Sequence, residues 1–429
     1  MNNRRTPWSW VPSLYLAEGI PYAVVMTVSV IMYKRLGIAN ADIAFYTSWL
    51  YLPWVIKPLW SPVVDVLRTK RWWIVTMQLL IGAGLASIAL TLPMSGFFKY
   101  SLAVFWLMAF SSATHDIAAD GFYILGLSEQ QQAFFVGIRS TFYRIAMISA
   151  QGLLVMLAGY FETNNVLNLT GNITAAWMVT FLILGGLFAV FFTYHNLVLP
   201  RPSSDIPTGE SSNVFAGFSE TFISFFKKDN IGSILAFLLV YRFAEAQLVK
   251  LASPFLLDER SAGGLGLSTT QVGFVYGTVG IGALTVGGLV GGFVAAKRGL
   301  KYWLWPMVLA INLPDAVYVY LSYFKPEDFL TINICVAVEQ LGYGFGFTAY
   351  SLVMLYVSQG KHSTAHFALC TGFMALGMMI PGMFSGEIQR TLGYQGFFVW
   401  VMLATIPGFL VTKLIKVDAE FGKRKESAQ

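Results

Sequence analysis

Twelve stretches, each about 20 or more residues long and mostly apolar, recur along this chain, and that pattern limits its fold more than any motif. In hydrocarbon there is no water to satisfy a backbone amide, so such segments are stable only as helices bonded within themselves. They run over 8–33, 41–64, 72–92, 100–125, 134–160 and 175–195. After a polar interval come 231–257, 269–295, 302–324, 329–357, 364–388 and 394–415. Charged residues make up only 12% of the 429, with a mean hydropathy of +0.62. Soluble domains carry about 25%, so a soluble multidomain enzyme is excluded. The 28 Lys and Arg are too dilute for a nucleic-acid binder. Cys335 and Cys370 both lie in apolar runs, which argues against a disulfide framework or a cysteine metal cluster. The expectation is an all-α membrane protein of twelve transmembrane helices, without a cleaved leader.

Cation placement predicts orientation. With the N-terminus inside, the inner segments hold Arg4, Arg5, Arg68, Lys70, Arg71, Arg201, Lys227, Lys228, Lys297, Arg298, Lys301, Lys361, Lys413, Lys416, Lys423, Arg424 and Lys425. The outer ones hold Lys34, Arg35, Lys99, Arg260, Lys325 and Arg390. Both termini are therefore expected in the cytoplasm. Residues 1–195 form one six-helix half, 196–229 a cytoplasmic linker, and 230–429 a second half with a short basic tail. The end of the linker, 214–228, alternates apolar and polar residues and reads as an amphipathic surface helix. The halves also echo one another. Arg68, Lys70 and Arg71 precede Trp72 and Trp73, as Lys297, Arg298 and Lys301 precede Tyr302 and Trp303; Tyr15 and Glu18 match Tyr241 and Glu245. Parallel six-helix repeats build the major facilitator fold, whose substrate site lies near the midplane.

Ionisable groups within a membrane span cost roughly 2.5–3.5 kcal/mol each on insertion scales and are functional by default. Here they include Glu18, Lys57, His115, Asp116, Asp120, Arg139, Arg144, Arg242, Glu245, Lys250, Asp315, Glu339 and Glu387. Asp116 and Asp120 are four apart and share one helix face, where they repel unless cations answer them. Arg139 and Arg144 on the next span are the candidates to do so. A carboxylate that alternately holds a proton and pairs with Arg is the minimum device for proton coupling; the competing reading is a static ion pair joining two helices. Arg242 and Glu245, three apart, can pair along their own helix. Lys250 either meets an anionic substrate or snorkels outward. Glu18 and Lys57 are a candidate structural pair. Asp65, Arg68, Lys70 and Arg71 read as an inner anchor and as a gate. His362 and His366 have metal-ligand spacing but no third ligand, so no metal is expected. The glycines of the eighth span imply close helix packing.

Several of these residues resemble a known family. Lys57-Pro58-Leu59-Trp60-Ser61-Pro62 with Asp65 is similar to the second-helix signature of the AmpG-type muropeptide permeases and the related acetyl-coenzyme A transporters. Ser112-Ala113-Thr114-His115-Asp116-Ile117 with Asp120 is similar to the fourth-helix signature. Tyr143-Arg144, Tyr241-Arg242 with Glu245, Glu339-Gln340-Leu341-Gly342, Thr364-Ala365-His366-Phe367 and Glu18-Gly19-Ile20-Pro21 extend the likeness through both halves. Where the family reads Gln, this chain has His115 and His366; an amide that reads a sugar hydroxyl is replaced by an imidazole that also takes a proton. The resemblance implies proton-driven uptake of amino-sugar or muropeptide-type solutes across a bacterial inner membrane. On that reading Asp116, Asp120 and Arg144 carry the proton, and His115, Arg242, Glu245, Lys250, Glu339 and His366 line the substrate path. The partners expected are the solute, a proton and membrane lipid, with no cofactor and a monomeric chain. The alternatives are an acetyl-coenzyme A or nucleotide-conjugate carrier, which needs several cations to meet phosphates, and a membrane sensor or enzyme on a transporter scaffold. No plausible nucleophile–base pair supports the enzyme.

Overall fold

A computed structural model describes residues 6–164, 171–207 and 211–423, apart from the side chains of 211–218. Arg4, Arg5, Arg424 and Lys425 of the charge argument lie outside the described residues. Among the described residues there is no strand. Nine helical stretches are long and apolar enough to cross a membrane: Pro7–Arg35 (α1), Lys70–Thr91 (α3), Phe97–Gly126 (α4), Glu129–Thr163 (α5), Ile173–Val198 (α6), Thr269–Arg298 (α8), Leu300–Phe324 (α9), Phe329–Ser358 (α10) and Ser363–Leu414. The last holds two spans, because Gly393 takes a left-handed backbone (φ 66°) that only glycine adopts without cost. It divides into α11 (363–392) and α12 (394–414).

Two further spans are helices interrupted in the middle. α2 (40–67) pauses at Leu50 and Tyr51 and resumes at Leu52 with Pro53 in its first turn, where the missing N–H of proline costs no intrahelical bond. α7 (231–257) breaks at Tyr241 and Arg242, where Arg242 leaves helical geometry (φ −105°, ψ 25°). With these, the twelve spans expected from the sequence are all present as helices. Pro21 removes a donor from α1, and the ladder widens to a π-helix over Val24–Val28. Similar π segments occur at Ser149–Leu154 in α5 and Gly273–Gly280 in α8.

The chain divides into two compact units. One comprises 1–37 and 56–218, the other 38–55 and 219–429, so the first part of α2 groups with the C-terminal helices. In the first unit α3 packs on α4 and α6, and α1 on α5. Its core includes Trp10, Tyr15, Phe122 and Phe135. In the second, α10 packs on α8 and α9, and α11 on α7 and on 40–49. Phe237, Tyr241 and Tyr350 stack in its core.

Glycine sets the spacing of α8, α9 and α10. A Cβ on Gly287 would meet the Leu341 carbonyl oxygen at 2.1 Å, and one on Gly344 the Leu284 oxygen at 2.0 Å. Gly342 is just as tight against α9, where a Cβ would lie 2.2 Å from the Ala310 oxygen and 2.7 Å from Pro314 Cγ. The glycine-rich eighth span is thus a packing surface, as small residues in membrane helices generally are.

The internal repeat reappears in how two helix starts are closed. The Asp205 carboxylate accepts the Lys70 and Arg71 backbone N–H groups at 2.7 and 3.0 Å, capping α3. The Leu300 N–H, opening α9, donates to the Phe421 carbonyl at 3.0 Å. In each unit the chain leaving the sixth helix returns to close the third. The linker helix Ser211–Phe226 forms where the amphipathic pattern falls. Its described end buries Phe225 against Phe373 of α11, so this part packs on protein.

Candidate functional site

In the first unit, α4 presents Asp116 and Asp120 one turn apart, on one face. Lys57 of α2 pairs with Asp116. Arg139 of α5 pairs with Asp120 at 3.1 Å, and the Tyr15 hydroxyl of α1 donates to the same carboxylate at 3.2 Å. Arg139 also lies 4.8 Å over the Tyr15 ring and 5.0 Å over Tyr123, so aromatic faces hold the guanidinium from two sides. Each acid therefore has its own cation from a different helix. Glu18 of α1 is 7% exposed and lies in the field of both aspartates, Arg139 and Lys57, yet its Oε2 has no hydrogen-bond partner. Lys57 is thus drawn to Asp116, not to Glu18, the partner its sequence position suggested. The side chains of all four paired residues are between 22% and 43% exposed, so neither pair is sealed inside the unit.

His115 points away from this cluster. Its Nε2 accepts from the Gln78 amide at 3.0 Å; Gln78 Oε1 accepts from His195 Nδ1 at 2.9 Å; His195 Nε2 lies 2.9 Å from the Ser13 hydroxyl. One proton assignment satisfies all three bonds, with each residue donating to the next from Ser13 to His115, and leaves the buried His115 Nδ1 without a partner. His195 and Gln78 carried no signal in the sequence, because they are isolated polar residues on otherwise apolar helices that meet only when α3, α4 and α6 pack.

At the start of α3, Lys70 pairs with Asp65. Arg71 donates to the Asn196 carbonyl at 2.5 Å, and Arg68 covers the Trp72 ring at 5.7 Å. Of the four residues read from the sequence as a gate, Lys70 and Asp65 meet each other, and the backbone of Lys70 and Arg71 is held by Asp205. That residue sits in the linker, where an isolated Asp among Pro and Ser gives no hint of its partner.

In the second unit Arg242 occupies the break in α7. Its guanidinium donates to the Tyr343 hydroxyl at 2.5 Å and lies 5.2 and 5.1 Å from the Tyr343 and Phe347 rings. No ion pair joins it to Glu245 among the described residues, although each lies in the field of the other. Lys250 is buried, donates to Thr47 Oγ1 at 3.0 Å and lies 5.2 Å over the Tyr51 ring. It points into the unit and does not snorkel. Glu339 is buried on α10, with both oxygens accepting from the Gln340 amide at 3.1 and 2.9 Å. Glu245, Asp315 and Glu339 come together, each offering an oxygen within 4.8 Å of the others. His366, at the start of α11, bonds to Ser224 at 2.9 Å on the linker helix. The structure thus joins Glu245 to Glu339 and sets His115 and His366 in separate surroundings.

The comparisons with known proteins agree with this architecture. The chain is 25% identical over 418 residues to "Putative transporter AmpG 4" of Rickettsia conorii, covering 93% of this chain and 94% of that one. It is 24% identical over 422 residues to the "Anhydromuropeptide permease" of Escherichia coli strain K12, covering 95% and 79%. Among solved structures, a bacterial homolog to the human lysosomal transporter Spinster, inward-facing and unoccupied, superposes with a TM-score of 0.74 at 15% identity, covering 96% of this chain and 98% of that chain. A D-xylose-proton symporter superposes with a TM-score of 0.73 at 11% identity, covering 97% and 98%. At such identities the structural likeness establishes the fold alone, the major facilitator arrangement. The model of the BT1 family matches residues 18–250, more than half of the chain and through the second-, fourth- and seventh-helix motifs. This protein accordingly belongs to the BT1 family, as a multi-pass membrane transporter of the AmpG type.

Proposed function

We propose that the protein is a proton-coupled symporter that imports an amino-sugar or muropeptide-type solute across a bacterial inner membrane by alternating access, both termini facing the cytoplasm. One observation carries the reading: Asp116 and Asp120, a turn apart and partly exposed, are each answered by a separate cation on another helix. A pair that parts when access changes leaves its carboxylate free to take a proton, and closing it expels the proton. Arg139, which meets Asp120, takes the counter-charge place read from the sequence for Arg144. The names of the relatives, an anhydromuropeptide permease among them, favour the solute class. Arg242, Glu245, Lys250, Glu339, His115 and His366 are proposed to serve the solute, and Asp65, Arg68, Lys70 and Arg71 to govern access from the cytoplasm. The halves 1–195 and 230–429, joined by 196–229, are proposed as the working bodies of a monomer.

Moving one positive charge inward gains about 2.3 kcal/mol per 100 mV, roughly fifty-fold accumulation. An anionic solute carried with a single proton would forgo that electrical gain and draw on the pH gradient alone. The test is uptake of an N-acetylglucosaminyl-anhydro-N-acetylmuramyl solute into proteoliposomes under an imposed pH gradient. Asp120→Asn is expected to abolish gradient-driven accumulation while solute binding persists. Undiminished accumulation by that variant would remove Asp120 from the coupling.

A further inference from the structure

Three buried carboxylates in the second unit have no place in the coupling scheme above. Glu245 comes from α7, Asp315 from the 3-10 turn Leu313–Asp315 that interrupts α9, and Glu339 from α10. They are 4%, 2% and 2% exposed. Their nearest oxygens lie within 4.8 Å of one another, and no lysine or arginine forms an ion pair with any of them among the described residues. Glu245 Oε2 and both oxygens of Asp315 lack a hydrogen-bond partner. Three like charges this close and this dry repel strongly unless something positive sits among them.

A second observation, outside the cluster, points to what that is. The Tyr318 side chain is fully buried, its hydroxyl has no partner, and the groups acting on it, Glu339, Tyr276, Glu245 and Asp315, include all three acids. A buried hydroxyl in the field of these acids yet left unpaired is available as an additional oxygen ligand. The backbone is also committed to this meeting. Asp315 follows Pro314 at the break in α9, and Gly342, one turn beyond Glu339, is the glycine whose Cβ would strike the Ala310 oxygen and Pro314. Only glycine there lets α10 approach α9 closely enough to bring Glu339 to Asp315.

We propose that Glu245, Asp315 and Glu339, with the Tyr318 hydroxyl, bind a hard, oxygen-ligated metal cation of the size of Na+ or Ca2+. Bonds of about 2.3–2.6 Å to such an ion require ligand oxygens within about 5 Å of each other, which is the spacing found. Mg2+, which demands about 2.0–2.1 Å and keeps its waters, does not suit a dry site of this width. The site shares Glu245 and Glu339 with the residues proposed to serve the solute but contains neither Asp116 nor Asp120, and cation binding is read without solute, so its failure is distinguishable from failure of the transport reading.

The test uses the full-length protein in detergent, freed of metal by chelation and held in choline chloride at constant ionic strength and pH. Unfolding temperature is followed against added NaCl, CaCl2, KCl and MgCl2, together with direct binding of radioactive Na+ or Ca2+. A saturable rise with NaCl or CaCl2, little changed by KCl or MgCl2, is expected, and the ion that works identifies the charge of the natural occupant. Asp315→Asn and Glu339→Gln should each raise the half-saturating concentration about tenfold or more. Direct binding to the unaltered protein decides the matter if a variant fails to fold. Equal responses to all four salts, a response to pH alone, or no radioactive cation bound would overturn the proposal.

Discussion

Glu18 apart, the two units treat the carboxylates within their spans in opposite ways. In the first, Asp116 and Asp120 are exposed by a fifth or more and each is matched by Lys57 or Arg139. In the second, Glu245, Asp315 and Glu339 are almost wholly buried and face one another, while the cations of that unit, Arg242 and Lys250, bond to Tyr343 and Thr47. Matched, partly exposed acids can exchange one positive partner for another at modest cost. Unmatched, buried acids stay together only by holding protons or sharing a bound cation. On the two proposals above, the contrast separates a place where charge is traded from a place where charge is stored.

The contrast depends on α9 and α10 lying close, so the largest effect comes from prising them apart. Gly342→Leu places a side chain where the Ala310 oxygen lies 2.2 Å from the Cβ position, and overpacking of this kind costs about 3 kcal/mol or more. Loss of the monodisperse peak in size-exclusion chromatography is expected; a well-folded variant would show that the acids do not need this approach. Next, neutralising one acid in each unit should act with opposite sign on stability in metal-free buffer. Asp116→Asn leaves Lys57 without its partner, and breaking a buried pair costs about 3–5 kcal/mol. Partial exposure screens this one, so about 1–2 kcal/mol is expected. Asp315→Asn removes a like charge and should be neutral or stabilising. Matching losses in both variants would erase the distinction between the units.

Smaller effects test the ends of the helices. Asp205→Ala should cost about 1 kcal/mol by uncapping α3, read as a lower unfolding temperature and faster proteolysis of the 196–207 segment; an unchanged digest would mean that the linker is held by other contacts. The smallest concerns Asp328, fully exposed at the start of α10. Hydrogen bonds from the Thr331 hydroxyl and from the Thr331 and Leu330 backbone N–H groups hold its carboxyl below the ordinary range. Because the folded form favours the carboxylate, its contribution is complete above the unfolded value, near 4, and fades as the pH falls toward the folded one. Hydrogen exchange at Leu330 and Thr331 should therefore quicken on acidification beyond the normal chemical trend in the native protein, and show no such step in Asp328→Ala.

How far the sequence reached varies from residue to residue. The Asp116–Asp120 face was legible because helix periodicity alone puts residues four apart together. Their partners were legible only in part: Arg139 was among the candidates, but Lys57 was set against Glu18, since nothing in a linear pattern says which of two nearby acids a lysine on another helix will reach. The break at Arg242 had no proline or glycine to announce it, and the expected pairing with Glu245 fails there. Glu245, Asp315 and Glu339 are separated by 70 and 24 positions, so their meeting has no spacing to read.

What this chain determined by itself is its solvent and its architecture. Runs of apolar residues long enough to span hydrocarbon force helices, because each must satisfy its own backbone, and that physics is local. What only the tertiary structure decided is which charges neutralise one another. Coulombic partnership depends on ångström distances between separate helices, and these follow from proline breaks and glycine contacts acting together, which no single stretch of sequence contains.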